Sequence, residues 1–212
     1  MVLAHRFTAA LVLAVASAGC STMPAEGTAR GEVLYQNCAP CHGADGHGQP
    51  DITVPQIAGL PVWYLTAQLT SYKNGMRGAH AQDQEGLRMR PMSRTLKSQT
   101  DIDAVAAYVA TLPYTRASAA VVGDVAKGQA AFATCSACHG ADGKGNEVLK
   151  APPIAQLQDW YVVKQLAKFK GGVRAYDPAD ASGAQMKAIA GGIADEAAMM
   201  DLAAYIQTLP AN

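Results

Sequence analysis

Apolar residues fall at Ile102, Val105, Ala106, Val109 and Leu112 with polar residues between them, the i, i+3, i+4 spacing of a helix that buries one face. The pattern predicts a helix here, capped by Thr100 with Asp103 three residues on and ended by Pro113. Leu202, Ile206 and Leu209 draw the same stripe later, just before Pro210. Two more helices are expected over residues 63–72 and 160–170, closed by Asn74-Gly75 and Gly171-Gly172. The segments between them are rich in Gly and Pro and read as loops, and no alternating strand pattern occurs. The expected fold class is all-α.

The later pattern is the earlier one displaced by a constant 97 positions. That offset carries Cys38 onto Cys135, Pro55 onto Pro152, Trp63-Tyr64 onto Trp160-Tyr161, and Gln68-Leu69 onto Gln165-Leu166. It also carries Lys73, Gly75 and Arg77 onto Lys170, Gly172 and Arg174, and Ala107-Tyr108 onto Ala204-Tyr205. The chain is therefore a tandem duplication, with domains over residues 31–113 and 124–212 and a linker over residues 114–123 (YTRASAAVVG). About ninety residues of short helices and long loops make a thin core, so something besides side chains should fill each domain.

Seventeen basic residues balance seventeen acidic ones, which excludes a nucleic-acid binder relying on a basic field. The N-terminus changes the picture more. MVLAHR followed by the apolar FTAALVLAVASA reads as an export signal over residues 1–19, too short to span a bilayer comfortably. The mature protein is expected in the periplasm. Cleavage after Ala18 fits the small-x-small preference of signal peptidase. The alternative is a lipidated Cys20, since Ser17-Ala18-Gly19-Cys20 resembles a lipoprotein box without its usual leucine. Residues 20–30 then form a polar tether.

The chemistry lies in CAPCHGADGHG from Cys38 and CSACHGADGKG from Cys135. Two thiols three residues apart share one face of a helical turn, and the next histidine projects to the same side. That arrangement lets both cysteines form thioethers to a haem while the histidine meets the iron. Zinc would take two such pairs, or one pair and two histidines, in one domain, and each repeat has a single pair. A thioredoxin-like redox site would need a βαβ context that is missing. A plain disulfide leaves the recurring histidine unexplained.

CHGADGHG, WYLTAQLTSYKNGMRG and MRPMSRTL with DIDAVAAYVATLP resemble small class I c-type cytochromes, and the tandem pair resembles the two-haem cytochromes of the c4 type, over residues 31–212. The resemblance implies two haem c groups, held through Cys38 and Cys41 and through Cys135 and Cys138, with His42 and His139 as proximal iron ligands. The family takes its sixth ligand from a methionine in the loop before the last helix. Of the candidates only Met89 and Met186 match through the offset, whereas Met76, Met92, Met199 and Met200 meet other residue types, and Met92, Met199 and Met200 are read as packing residues. Pro55 and Pro152 occupy the places whose carbonyls hold the proximal histidine. Gly31 with Tyr35, and Gly128 with Phe132, are expected to pack the first helix of each domain on Tyr108 and Tyr205.

His/Met ligation fills both axial positions, which implies an electron carrier rather than an enzyme. The expected role is relay between a respiratory donor and an acceptor such as a terminal oxidase. The alternative is a dedicated cytochrome subunit of a periplasmic dehydrogenase complex. His47 and His80 fall on Lys144 and Asp177 and are read as solvent-facing. Trp63, Tyr64 and Arg77 either meet haem propionates or pack in the core. Arg88, Arg90, Arg94 and Lys97 around Met89 form either a solvated face or a docking rim for an acidic redox partner.

Overall fold

Ser98 begins the last helix of the first domain, α5 (Gln99–Thr111), because its hydroxyl accepts from the Asp101 amide at 3.1 Å while the Asp101 carboxylate accepts from the Ser98 amide at 3.1 Å. This capping box, two residues upstream, replaces the expected Thr100–Asp103 cap. Asp101 wins because it is also buried against Arg30, whose Nε donates at 2.8 Å. Ile102, Val105, Ala106 and Val109 are then all buried, as the stripe requires.

The computed structural model describes residues 23–211. The expected export signal and Cys20 lie outside the described residues. The first domain comprises α1 (Gly27–Tyr35), α2 (Ala39–His42), α3 (Val62–Asn74), α4 (Gln84–Ser93) and α5. The second comprises α6 (Val125–His139), α7 (Asp159–Lys170), α8 (Ala181–Gly191) and α9 (Glu196–Ile206). No strand occurs among the described residues, only two isolated bridges, Gln49 to Val54 and Asn146 to Ala151. α1 starts inside the stretch read as a tether, where Arg30 ties it to Asp101.

One element is divided in the first domain and continuous in the second. Pro40 has no amide to bond the Gln36 carbonyl, so the chain breaks between α1 and α2. Its repeat position is Ala137, and α6 runs through unbroken. Elsewhere the halves match. α1 packs on α5 and α6 on α9, while α3 packs on α4 and α5, and α7 on α8 and α9. The first pair meets so closely that a Cβ on Gly31 would lie 2.0 Å from the Ala104 carbonyl oxygen, and one on Gly128 would lie 1.9 Å from that of Asp201. Beside these contacts the Tyr35 and Tyr108 rings pack at a tilt with centroids 5.3 Å apart, and the Phe132 and Tyr205 rings do the same at 5.2 Å.

Two segments whose composition predicts loops are helices. α4 and α8 carry Met89 and Met186, and each is capped by an aspartate, Asp83 accepting from the Gly86 amide and Asp180 from the Gly183 amide. The stretch between domains lacks helix but is fastened to the second domain. Arg116 donates to the Gln207 and Leu209 carbonyls, and the Ala120 and Val121 amides donate to the buried Asp159 carboxylate.

Candidate functional site

His42 and His139 are the last residues of α2 and α6, and each helix stops because the following glycine takes a φ of 80°, open to a residue without Cβ. The chain then loops back so that the carbonyls of Pro55 and Pro152 lie 3.0 and 2.8 Å from the two Nδ1 atoms. A carbonyl only accepts, so Nδ1 carries the proton and Nε2 keeps its lone pair. Burial lowers both imidazole pKa values, with the proline carbonyls pulling the other way. Both rings are thus held neutral and ready to ligate.

Each histidine lines a largely apolar cavity together with the two cysteines of its motif, about 180 Å³ in the first domain and about 250 Å³ in the second. No disulfide joins the cysteines of either motif: Cys38 and Cys135 are half-buried, and Cys41 and Cys138 are exposed. Burial and the neighbouring Cys41 push the Cys38 thiol up to about 11, and Cys135 is raised for the same reasons. Such thiols are the opposite of the acidic cysteines of redox enzymes. Among the described residues no group of three His, Cys, Asp or Glu is placed to hold a bare metal ion.

Met89 lines the first cavity from α4 and Met186 the second from α8, both half-buried. Met92 sits at the mouth of the first cavity, 38% exposed, and its repeat position Ile189 sits at the mouth of the second. Met199 is a core residue of α9, and neither it, Met76 nor Met200 lines a cavity.

The cavities share a wall. Tyr64, Gln68 and Arg77 of the first domain and Leu157, Tyr161 and Gln165 of the second line both of them. Arg77 donates to the Gln68 side-chain oxygen, to the Tyr161 hydroxyl at 2.9 Å and to Gln165 at 3.1 Å. Arg174 returns the pattern, donating to Gln165 at 2.9 Å and to Gln68 at 3.1 Å. Arg77 is buried, and neither guanidinium forms an ion pair with any carboxylate among the described residues. Burial alone would raise the Tyr161 pKa, but these two cations outweigh it and pull it down.

A buried cation facing only neutral oxygens calls for an anion. The carboxylates of a haem supply one, while the apolar walls suit a porphyrin and the cysteine pair suits its covalent attachment. The residues present fit that group in both halves, and the class they define is a c-type cytochrome with two haem sites back to back.

Comparison with known proteins agrees. The cytochrome c family profile matches residues 28–113 and again 125–210, and the chain belongs to that family. It is 31% identical over 157 residues to the thiosulfate dehydrogenase electron acceptor of Stutzerimonas stutzeri, covering 69% of this chain and 68% of the relative. Cytochrome c4 from Pseudomonas stutzeri superposes with a TM-score of 0.68 at 28% identity, over 88% of this chain and 100% of that one. A thiosulfate dehydrogenase of Marichromatium purpuratum superposes with a TM-score of 0.69 at 32% identity, over 85% of this chain but 40% of that one. The chain is a two-haem electron carrier of the cytochrome c4 type, with one haem c attached at each Cys-x-x-Cys-His motif.

His47 and His80 remain partly open to solvent: His47, its side chain 32% exposed, has Nε2 3.2 Å from the Pro113 carbonyl, and the His80 ring packs at a tilt on Tyr176 of the second domain, 5.6 Å between centroids. Neither lines a cavity. Arg90 leaves the rim, half-buried with its Nε shielded from solvent, whereas Arg88, Arg94 and Lys97 remain exposed. Of the residues weighed between haem contact and core packing, Tyr64 and Arg77 line both cavities and Trp63 lines that of the second domain. The shared wall itself was missed, although the repeated Gln and Arg positions were its signal.

Proposed function

We propose that the chain relays electrons in the periplasm between a respiratory donor and an acceptor such as a terminal oxidase, and that His42 and Met89 would hold the iron in the first domain and His139 and Met186 that in the second. The observation that carries this reading is the shared wall, which sets two electron-transfer sites side by side in one chain. When bound, haem supplies a one-electron iron couple. The protein's part is positioning. The Pro55 and Pro152 carbonyls orient neutral imidazoles and raise their basicity. Met89 and Met186 would hold the two irons through their thioethers, which would favour the ferrous state and leave no open site for small ligands. Arg77 and Arg174 anchor carboxylates at the shared wall.

Arg88 lines the mouth of the first site, and with the exposed Arg94 and Lys97 on the same stretch of chain it would offer a cationic face to an acidic acceptor, so electrons would enter through the second domain and leave through the first. Cys20 is the candidate site of a lipid anchor that would hold the carrier at the membrane. A second reading has support of its own: the likeness to a thiosulfate dehydrogenase electron acceptor, and to part of a thiosulfate dehydrogenase, favours a carrier dedicated to one dehydrogenase. Stopped-flow reduction separates the two. Fast reduction by a quinol-oxidising complex followed by reoxidation by an oxidase supports the relay. Reduction only by a thiosulfate-oxidising enzyme supports the dedicated subunit.

A further inference from the structure

The repeat breaks at one place where the domains touch. On α7 of the second domain, Lys164 and Lys168 reach across to α4 of the first. Lys164 pairs with Glu85 at 2.6 Å, and Lys168 pairs with Glu85 at 2.7 Å and with Asp83. The Lys168 and Asp83 side chains are 12% and 3% exposed. Burial would raise the Glu85 carboxyl, but its hydrogen bonds to the two ammonium groups outweigh this and hold it at about 2, so it is charged at neutral pH. The offset carries Lys164 and Lys168 back to Ala67 and Ser71, and Glu85 forward to Ser182. These three side chains line the second cavity and bear no charge, so α8 has no counterpart to this ion-pair cluster.

α4 needs the help that α8 does without. It contains Pro91 in its interior, which has no amide to close on the Leu87 carbonyl, while the repeat position in α8 is Ala188. The cluster grips the first turn of α4, through its cap Asp83 and through Glu85, and Met89 lies one turn further along the same helix.

We propose that Lys164 and Lys168 of the second domain are positioning residues for Met89, clamping α4 so that the thioether stays at the first site, and that Met186 has no such clamp. This rests on the reading of Met89 as axial ligand. The second domain then sets how firmly the first site is closed, and the two sites differ in their exposure to competing ligands.

Imidazole is a suitable probe, because it binds ferric haem only when the thioether lets go, so its apparent affinity reports how often each methionine is released. The axial methionines give separate hyperfine-shifted methyl resonances in the ferric holoprotein, which follow the two sites independently. In the Lys164→Met, Lys168→Met double variant the first site should bind imidazole about tenfold more tightly, on the scale of losing charge-assisted hydrogen bonds. The second should stay within about twofold. Glu85→Gln, which keeps Lys168 on Asp83, should give a smaller change of the same sign, and Lys164→Arg with Lys168→Arg should retain the native affinity. An unchanged first site in both the lysine and glutamine variants, or an equal change at both sites, overturns the clamp. Met89→Ala separates this from failure of the underlying reading. It should remove one methyl resonance, and retention of both would mean that Met89 is not the ligand being clamped.

Discussion

Adding one methyl group at Gly31 tests how tightly the first and last helices of a domain are joined. An alanine Cβ there would lie 2.0 Å from the Ala104 carbonyl oxygen, 2.6 Å from its carbon and 2.7 Å from the Tyr108 Cβ. Non-bonded contacts are comfortable at about 3.5 Å, so α1 and α5 would have to part by more than about 1 Å. Two of the three contacts are backbone and cannot rotate away. Overpacking costs about 1–3 kcal/mol, and this geometry belongs at the upper end. In a domain of this size, about 3 kcal/mol lowers the melting temperature by about 12–24 °C. Gly191→Ala, at the end of α8 with nothing within 4 Å of the added carbon, is the control. It should leave stability unchanged or raise it by up to about 1 kcal/mol. Far-ultraviolet circular dichroism of the two holoprotein variants during heating makes the comparison. A Gly31→Ala melt within about 3 °C of the native protein would refute the close-contact argument.

Three more outcomes are expected. Burial opposes ionisation of Asp101, but Arg30 and the Ser98 and Lys97 amides outweigh it and lower its pKa below 3.8. The stability this gives is present above the unfolded value and lost as pH falls through the lower native one, so Asp101→Asn should flatten the acid limb of a melting-temperature profile below about pH 5. Replacing Arg77 with Gln removes a cation from the wall of both cavities and should lower both midpoint potentials in a redox titration, whereas Arg94→Gln should leave the second unchanged. Charge reversal at Arg88 and Arg94 should slow reduction of an acidic acceptor and flatten its salt dependence while donor oxidation changes little; unchanged rates and salt slopes would reduce that stretch to a solvated face.

Much of the fold was legible because the chain states it twice. The offset alone marks both domains, both cysteine–histidine motifs and the paired methionines. The proline partners of His42 and His139 came from family likeness and are seen in the hydrogen bonds. Local competition was harder to read. Ser98 displaced Thr100 as a cap because Asp101 is fixed by Arg30, 71 positions away. α4 escaped notice because Gly86 and Pro91 are loop residues by composition, and tertiary contacts override that preference. The shared wall was hidden because it is made by docking one repeat against the other. A repeat in sequence gives equivalent positions but not which of them meet.

The central claim is that each domain ligates its haem through one histidine and one methionine, Met89 in the first and Met186 in the second. The near-infrared thioether-to-iron band of the ferric protein tests it most directly. Met89→Ala and Met186→Ala should each remove about half of its amplitude, their combination should abolish it, and Met92→Ala should leave it intact. Loss of half the band in Met92→Ala, with Met89→Ala unchanged, would contradict the account.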